Sequence, residues 1–217
     1  MGTQTDLFDE AKRDGGTAAP DAEAACQAIM EATYRALCEH GAADLSVQAI
    51  ADEFDKSKSL IFYHYDSKEQ LLSAFLAYLL DGFERRVAAT ADEEPDERLD
   101  RLIDALLFDP GDNEDFQIAM FELRSQAPFN DAYREQFRTN RSNTHDLFEG
   151  VIERGIEEDI FADVDASRVV TEMFTIVDGA RTQLVVFGDD EILDTTREMI
   201  DAHLDARLFT DDVGGTE

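Results

Sequence analysis

Apolar residues in this chain return at every third or fourth position, segment after segment, and no stretch alternates convincingly at every second. Such spacing gathers them on one face of an α-helix, whereas a half-buried strand needs strict alternation. Between about Asp21 and His40 the face is Ile29, Ala32, Ala36 and Leu37, with Gly41 as a stop signal. Ser46 is a good N-cap for a short helix bearing Val47, Ile50, Ala51 and Phe54. A polar break at Asp55-Lys56 follows, a second short helix begins near Ser57, and a long amphipathic helix runs from about Ser67 with Leu72, Phe75, Leu76, Leu79, Phe83 and Val87. Acidic punctuation over 92–95 and a break at 109–112 bound a helix near 97–108. Further helices are expected near 115–125 and 130–155. One stripe runs from Val170 to Phe187 and ends at Gly188; another runs from Leu193 to Leu208. The predicted fold class is all-α, without a repeat at any fixed period.

Composition decides whether such a chain folds. Fifty acidic residues stand against 19 basic ones, a formal charge of −31. The apolar content, with 15 phenylalanines, nevertheless exceeds what a disordered acidic chain carries. No apolar run reaches the length of a bilayer span, and the N-terminus lacks the basic and apolar regions of a signal peptide, so a cytoplasmic protein is expected. Cys26 and Cys38 lie in one helical pattern and build neither a disulfide framework nor a zinc-ligand spacing. Lysine is scarce: Lys12, Lys56, Lys58 and Lys68 are the four, and arginine makes up the other basic residues. Acids spread over every helix with little lysine predict an organism that keeps molar salt in its cytoplasm, where charge is screened within about 3 Å.

Three of those lysines fall between residues 56 and 68, in a window whose one acid is Asp66. The same segment is laid out as a capped short helix, a tight turn, a second short helix and a longer one. That is the helix-turn-helix arrangement, whose second helix enters the DNA major groove. Ile50 and Ala51 suit the helix crossing. Lys58, Ser59, Leu60, Tyr63 and His64 are expected to face outward toward base edges, while Ile61, Phe62 and Tyr65 are expected to pack in the core. Ser46 and Gln48, with the amides of the first helix, are candidates for phosphate. Lys68 opens the next helix, where an ammonium and helix-terminal amides can hold another phosphate.

Ser46-Val47-Gln48-Ala49-Ile50-Ala51, followed by Ser57-Lys58-Ser59-Leu60-Ile61-Phe62-Tyr63-His64-Tyr65-Asp66-Ser67-Lys68-Glu69-Gln70-Leu71, resembles the DNA-binding signature of TetR-type repressors. Ile29 to Gly41 is similar to that family's first helix. Ser59 stands where the family commonly has glycine, and Phe62 where it has a tyrosine whose hydroxyl often reaches a phosphate. The turn carries Asp55 in place of a glycine. Residues 1–20, polar with Gly15, Gly16 and Pro20, read as a mobile tail and 210–217 as an acidic one, and between them the resemblance implies a helix-turn-helix domain over 21–67 and a larger helical ligand-binding and dimerisation domain over 68–209. It also implies a homodimer, through helices near 167–187 and 190–209, that binds a double-stranded DNA operator and is released by a small-molecule inducer. Met120, Phe121, Arg124, Phe137, Met173, Phe174, Asp178 and Arg181 supply an apolar lining with a few polar groups, as a ligand pocket needs. An apolar or aromatic inducer is expected, with a cation as the second choice. Asp178 and Arg181, three apart, are also placed to pair with each other.

Catalytic readings find no support in the motifs. A di-iron bundle needs Glu-x-x-His pairs, and the residues three before the histidines are Leu37, Ile61, Ser142 and Ile200. The chain carries no phosphate-cradling glycine loop, nucleophile elbow or His-x-x-x-His. His40, His145 and His203 are expected to lack partners at ligand spacing. No catalytic residue, metal or cofactor is predicted. The alternative class is a helical ligand-binding or protein-interaction module that has lost DNA binding, because residues 46–70 carry Asp52, Glu53, Asp55, Asp66 and Glu69 against three lysines.

Overall fold

The computed structural model describes residues 20–54, 58–88, 90–108, 114–189 and 191–209. The tail expected over 1–20 lies outside them except for Pro20, which opens the first helix, and the tail over 210–217, the turn residues 55–57 and the break at 109–112 lie outside as well. Among the described residues are nine α-helices and no strand: α1 Pro20–Asp44, α2 Val47–Asp52, α3 Lys58–His64, α4 Lys68–Ala88, α5 Pro95–Leu107, α6 Glu114–Gln126, α7 Asp131–Glu157, α8 Ala166–Phe187 and α9 Ile192–Leu208. A single 3-10 turn, Ala127–Phe129, joins α6 to α7.

Helix starts follow capping chemistry. Ser46 Oγ accepts from Ala49 N at 3.0 Å to open α2, and Ser67 Oγ accepts from Gln70 N at 3.1 Å to open α4. Asn130 and Asp165 do the same for α7 and α8. Pro95 occupies the first turn of α5, where its missing N–H has no partner to lose. Gly188, left-handed at φ 64°, ends α8 where the sequence placed the stop.

Gly41 behaves differently from the stop expected of it. Its φ of 69° breaks the helix geometry, yet α1 resumes for a further turn to Asp44. The reason lies on α6. The carboxylate of Glu122 accepts from Ala42 N at 2.5 Å and Ala43 N at 3.2 Å, taking the amides that the kink frees.

The helices group into two units. In the first, Met1–Glu84 with Pro110–Asn140, α1 packs chiefly on α6 and α2 crosses both α1 and α3. Ile29, Tyr34, Leu37, Ile50, Ile61, Leu71, Leu72, Phe75, Phe116, Leu123 and Tyr133 form its core. In the second unit, Arg85–Asp109 with Arg141–Glu217, α8 packs along α9 and α9 meets α5. The stripe Val170, Met173, Phe174, Val177 and Ala180 is buried within the chain itself, as are Ile200, Leu204 and Leu208. Charge ties this unit together. Arg197 of α9 pairs with Asp100 and Asp104 of α5 and with Asp201. Glu172 of α8 takes Arg168 at 2.9 Å, Arg207 at 3.0 Å and His203 at 3.1 Å.

Candidate nucleic-acid interface

A seven-residue helix has about two turns, so its outward residues follow directly from its buried one. In α3 that residue is Ile61, 1% exposed and part of the core that α1, α2 and α4 share. At about 100° per residue, positions 58, 59, 62 and 63 then fall on one arc and 60, 61 and 64 on the opposite one. Exposure follows this division. Lys58, Ser59, Phe62 and Tyr63 are exposed, whereas Leu60 is half-buried against the core. His64 is half-buried as well, with Nδ1 3.6 Å from Cys26 Sγ of α1.

Phe62 corrects the expectation of core packing: its side chain is 49% exposed. The signal was available, since Phe62 lies four residues after Lys58 and one after the buried Ile61. Apolarity alone had argued for burial, and helical phase decides otherwise. Tyr65, also expected to pack, is half-buried against the core. Its hydroxyl is pushed up to about 12, first by burial and then by Cys26 beside it.

The outward arc of α3 is wired to α2. Gln48 donates through Nε2 to Asp52 Oδ1 at 2.7 Å and accepts from Lys58 Nζ at 3.3 Å, so the amide passes a fixed orientation from the carboxylate to the ammonium. Lys58 Nζ also lies 5.8 Å from the centre of the Phe62 ring. Tyr63 is 81% exposed, its ring edge-on to His64. Arg35 of α1, which the sequence reading did not single out, donates to the Glu53 carbonyl at 2.7 Å and clamps the end of α2. Lys68 Nζ donates to the Leu45 carbonyl at 2.9 Å, which leaves further N–H groups of the ammonium to point elsewhere. The hydroxyl of Ser46 accepts from Ala49 N and keeps its own hydrogen to donate.

The residues expected to line a ligand pocket divide between the units. In the first, Met120 and Phe137 are half-buried against the core, Phe121 is exposed, and the Arg124 guanidinium lies 5.8 Å from the Phe137 ring centre. In the second, Met173 and Phe174 are buried, Asp178 receives Arg141 at 2.6 Å, and Arg181 donates to the Leu106 carbonyl at 2.7 Å. Arg141 also stacks its guanidinium 4.6 Å from the centre of the Phe174 ring. Of the histidines expected to lack partners, two have acidic neighbours. His145 Nδ1 lies 3.3 Å from Glu149, one turn on, with Asp146 close by, and His203 pairs with Glu172 across two helices.

Known proteins match both parts of the chain. A family model described as bacterial regulatory proteins, tetR family, matches residues 29–75, and one described as BetI-type transcriptional repressor, C-terminal, matches 95–208. A TetR transcription regulator from the halophilic archaeon Haloarcula marismortui is 44% identical over 85% of this chain and 98% of its own, with a TM-score of 0.80. Two more distant structures share the fold. A transcriptional regulator from Saccharomonospora viridis in complex with choline is 22% identical, covering 85% of this chain and 97% of that one, at a TM-score of 0.74. The regulator FadR from Bacillus subtilis in complex with stearoyl-CoA is 16% identical, covering 81% and 96%, at 0.69. Among curated proteins no relative matches. No helix among the described residues is long and apolar enough to cross a membrane. An exposed arc on the second short helix of a helix-turn-helix, family models matching residues 29–75 and 95–208, and a halophilic relative at 44% identity lead to one assignment: the chain belongs to the TetR family of DNA-binding transcription regulators.

Proposed function

We propose that the chain is a repressor that docks on a two-fold operator as a homodimer and leaves it when a small molecule binds. The observation that carries this reading is the outward arc of α3. Lys58, Ser59 and Tyr63 stand free of the core on a helix pinned by Ile61, and Lys58 is oriented through Gln48. The DNA-reading domain spans 21–67, with phosphates held by Ser46, Gln48 and Lys68. Leu60 and His64 contribute at the margin of the contact. The ligand-binding and dimerisation domain spans 68–209. The protein works in the cytoplasm without catalysis, as a regulator that binds and releases.

The homodimer forms through α8 and α9. Their main apolar stripes serve the chain's own core over most of their length, and the apolar side chains left for a partner are Val186, Phe187 and Met199, each more than half exposed. A symmetric contact of this kind supplies two reading heads for the two halves of an operator.

The inducer is taken in the helical domain, where two separate groups are candidates: Met120, Phe121, Arg124 and Phe137 in the first unit, and Met173, Phe174, Asp178 and Arg181 in the second. Thermodynamically it must favour the arrangement that cannot bind DNA, because only differential affinity moves the equilibrium. An apolar or aromatic compound suits the first group, Met120, Phe121 and Phe137. A specific observation favours an organic cation as a second reading. Phe174 offers its aromatic face and Asp178 its carboxylate, and Arg141 now holds both. The choline bound to the Saccharomonospora relative is a ligand of that chemistry.

The test is a gel shift in molar KCl against the DNA upstream of the protein's own coding region. The wild type is expected to shift it, and a Lys58/Tyr63/Lys68 triple alanine variant to lose the shift. Equal affinity of the two proteins would dispose of the reading face.

A further inference from the structure

We infer that Phe62 is a specificity-determining residue that reads the 5-methyl group of a thymine in each half of the operator. The inference deepens the docking reading above and rests on it. Phe62 lies on the same arc of α3 as Lys58, Ser59 and Tyr63, half exposed, while Ile61 is fully buried and Leu60 is half-buried against the core. The fold therefore does not need the Phe62 ring for its core. A phenyl ring left in water on the face that meets DNA also has no means of bonding a phosphate, having neither donor nor acceptor.

In the major groove the base edges display donors and acceptors with one apolar exception, the thymine methyl. A ring on the reading face finds its favourable contact there, and every other edge would cost it a desolvated polar group. Two neighbours fix where the ring can go. Lys58 lies one turn before it with Nζ 5.8 Å from the ring centre, and Gln48 holds that ammonium at 3.3 Å. A cation over one side of the ring keeps that side polar and leaves the edge away from Lys58 for the methyl. The pair then reads a composite step, an apolar methyl at one base and an acceptor-rich purine edge or a phosphate beside it.

The experiment begins by enriching duplexes from a random pool on the full-length protein in molar KCl. Each thymine of the selected duplex is then replaced in turn by deoxyuridine, which keeps the Watson–Crick and groove hydrogen-bond pattern and removes only the methyl. Wild type is expected to lose about fourfold at one thymine per half-site, and about sixteenfold when both symmetric positions are changed. Phe62→Ala should bind the parent duplex more weakly and show no loss at that thymine, while Phe62→Leu should retain part of it. Circular dichroism establishes that the variants are folded. The thymine assignment is overturned if wild type tolerates deoxyuridine at every position, or if Phe62→Ala keeps the full loss. Failure of wild type to enrich any duplex is a different result, and it would overturn the docking reading with it.

Discussion

At the scale of single residues, what the sequence hid was partnership rather than identity. Type and spacing pick out Lys58, Tyr63 and Lys68 as the residues to propose for DNA contact, and the structure adds that Lys58 and Tyr63 are exposed on α3. Their partners are set by contacts between helices far apart in sequence, and no local pattern encodes those. Lys68 shows the consequence. It was expected to hold a phosphate, and in the structure its ammonium donates to the Leu45 carbonyl. Lys68→Ala should therefore lower stability by about 1 kcal/mol through the lost hydrogen bond, and weaken binding to all DNA sequences about equally. Urea unfolding and gel shifts on unrelated duplexes measure the two effects separately. Tyr65 and Tyr133 give a pH prediction. Both hydroxyls are raised from 10.0 to about 12, chiefly by burial, with Cys26 adding at Tyr65 and Glu69 at Tyr133. A raised folded-state value means the stabilisation is whole below pH 10 and is lost as pH climbs from 10 toward 12. Alkaline titration should show tyrosinate absorbance from these two rings rising together with loss of helix. If they ionise near pH 10 in a chain that stays folded, the burial argument fails.

At the scale of elements, periodicity located the helices well because each has one apolar face, and the caps Ser46, Asn130 and Asp165 are local chemistry. What periodicity cannot show is which helix supplies a partner to another. The resumption of α1 beyond Gly41 depends on Glu122, some eighty residues away in sequence. Glu122→Ala should lower stability by about 1–2 kcal/mol, since two backbone amides lose their acceptor, while Glu122→Gln should recover part of it. Gly41→Ala meets two obstacles at once, a positive φ and a Cβ only 2.9 Å from Glu122 Oε2. Gly155, near the end of α7, poses a packing problem of another kind. An added Cβ would run into the ring of Phe161, whose own amide returns to the Gly155 carbonyl at 3.0 Å. Gly155→Ala should cost about 1–3 kcal/mol by overpacking, visible as a lower urea midpoint at unchanged slope. The charge node at Glu172 acts in the opposite pH range to the tyrosines. The Arg168 hydrogen bond first, and then the charges of Arg207, Arg168 and His203, hold this carboxyl below the usual value. Its contribution is present at neutral pH and is lost as acid protonates it, so the tie between α8 and α9 should loosen below about pH 4.5.

At the scale of the whole molecule, a net charge of −31 has to be reconciled with binding a polyanion. Residues 46–70 carry three lysines against five acids, and Asp52 and Glu53 sit on or beside the short helix next to α3. Ordinary DNA-binding proteins draw affinity from counterion release, and the logarithm of the binding constant falls with that of salt at about −0.9 per neutralised phosphate. With three lysines per head, a dimer neutralises at most six phosphates in this segment, which bounds the slope at about −5. The acids make it shallower still, because repulsion between them and the phosphates also weakens as salt rises. At 1 M salt the screening length is about 3 Å, close to contact distance, so direct hydrogen bonds and apolar contacts survive while longer-range repulsion disappears. Operator affinity should therefore be poor in dilute buffer, change little or improve as KCl approaches molar, and never fall as steeply as that bound. The exposed acids Asp66 and Glu69 allow a direct check. Asp66→Asn with Glu69→Gln should tighten binding several-fold at 0.2 M KCl and make no difference at 3 M, because neutralising them matters only where charge is felt at a distance. Gel shifts or fluorescence anisotropy across a KCl series read both lines at once. Parallel salt dependences for variant and wild type, or a slope steeper than −5 for either, would mean that the affinity comes from charges lying outside this segment.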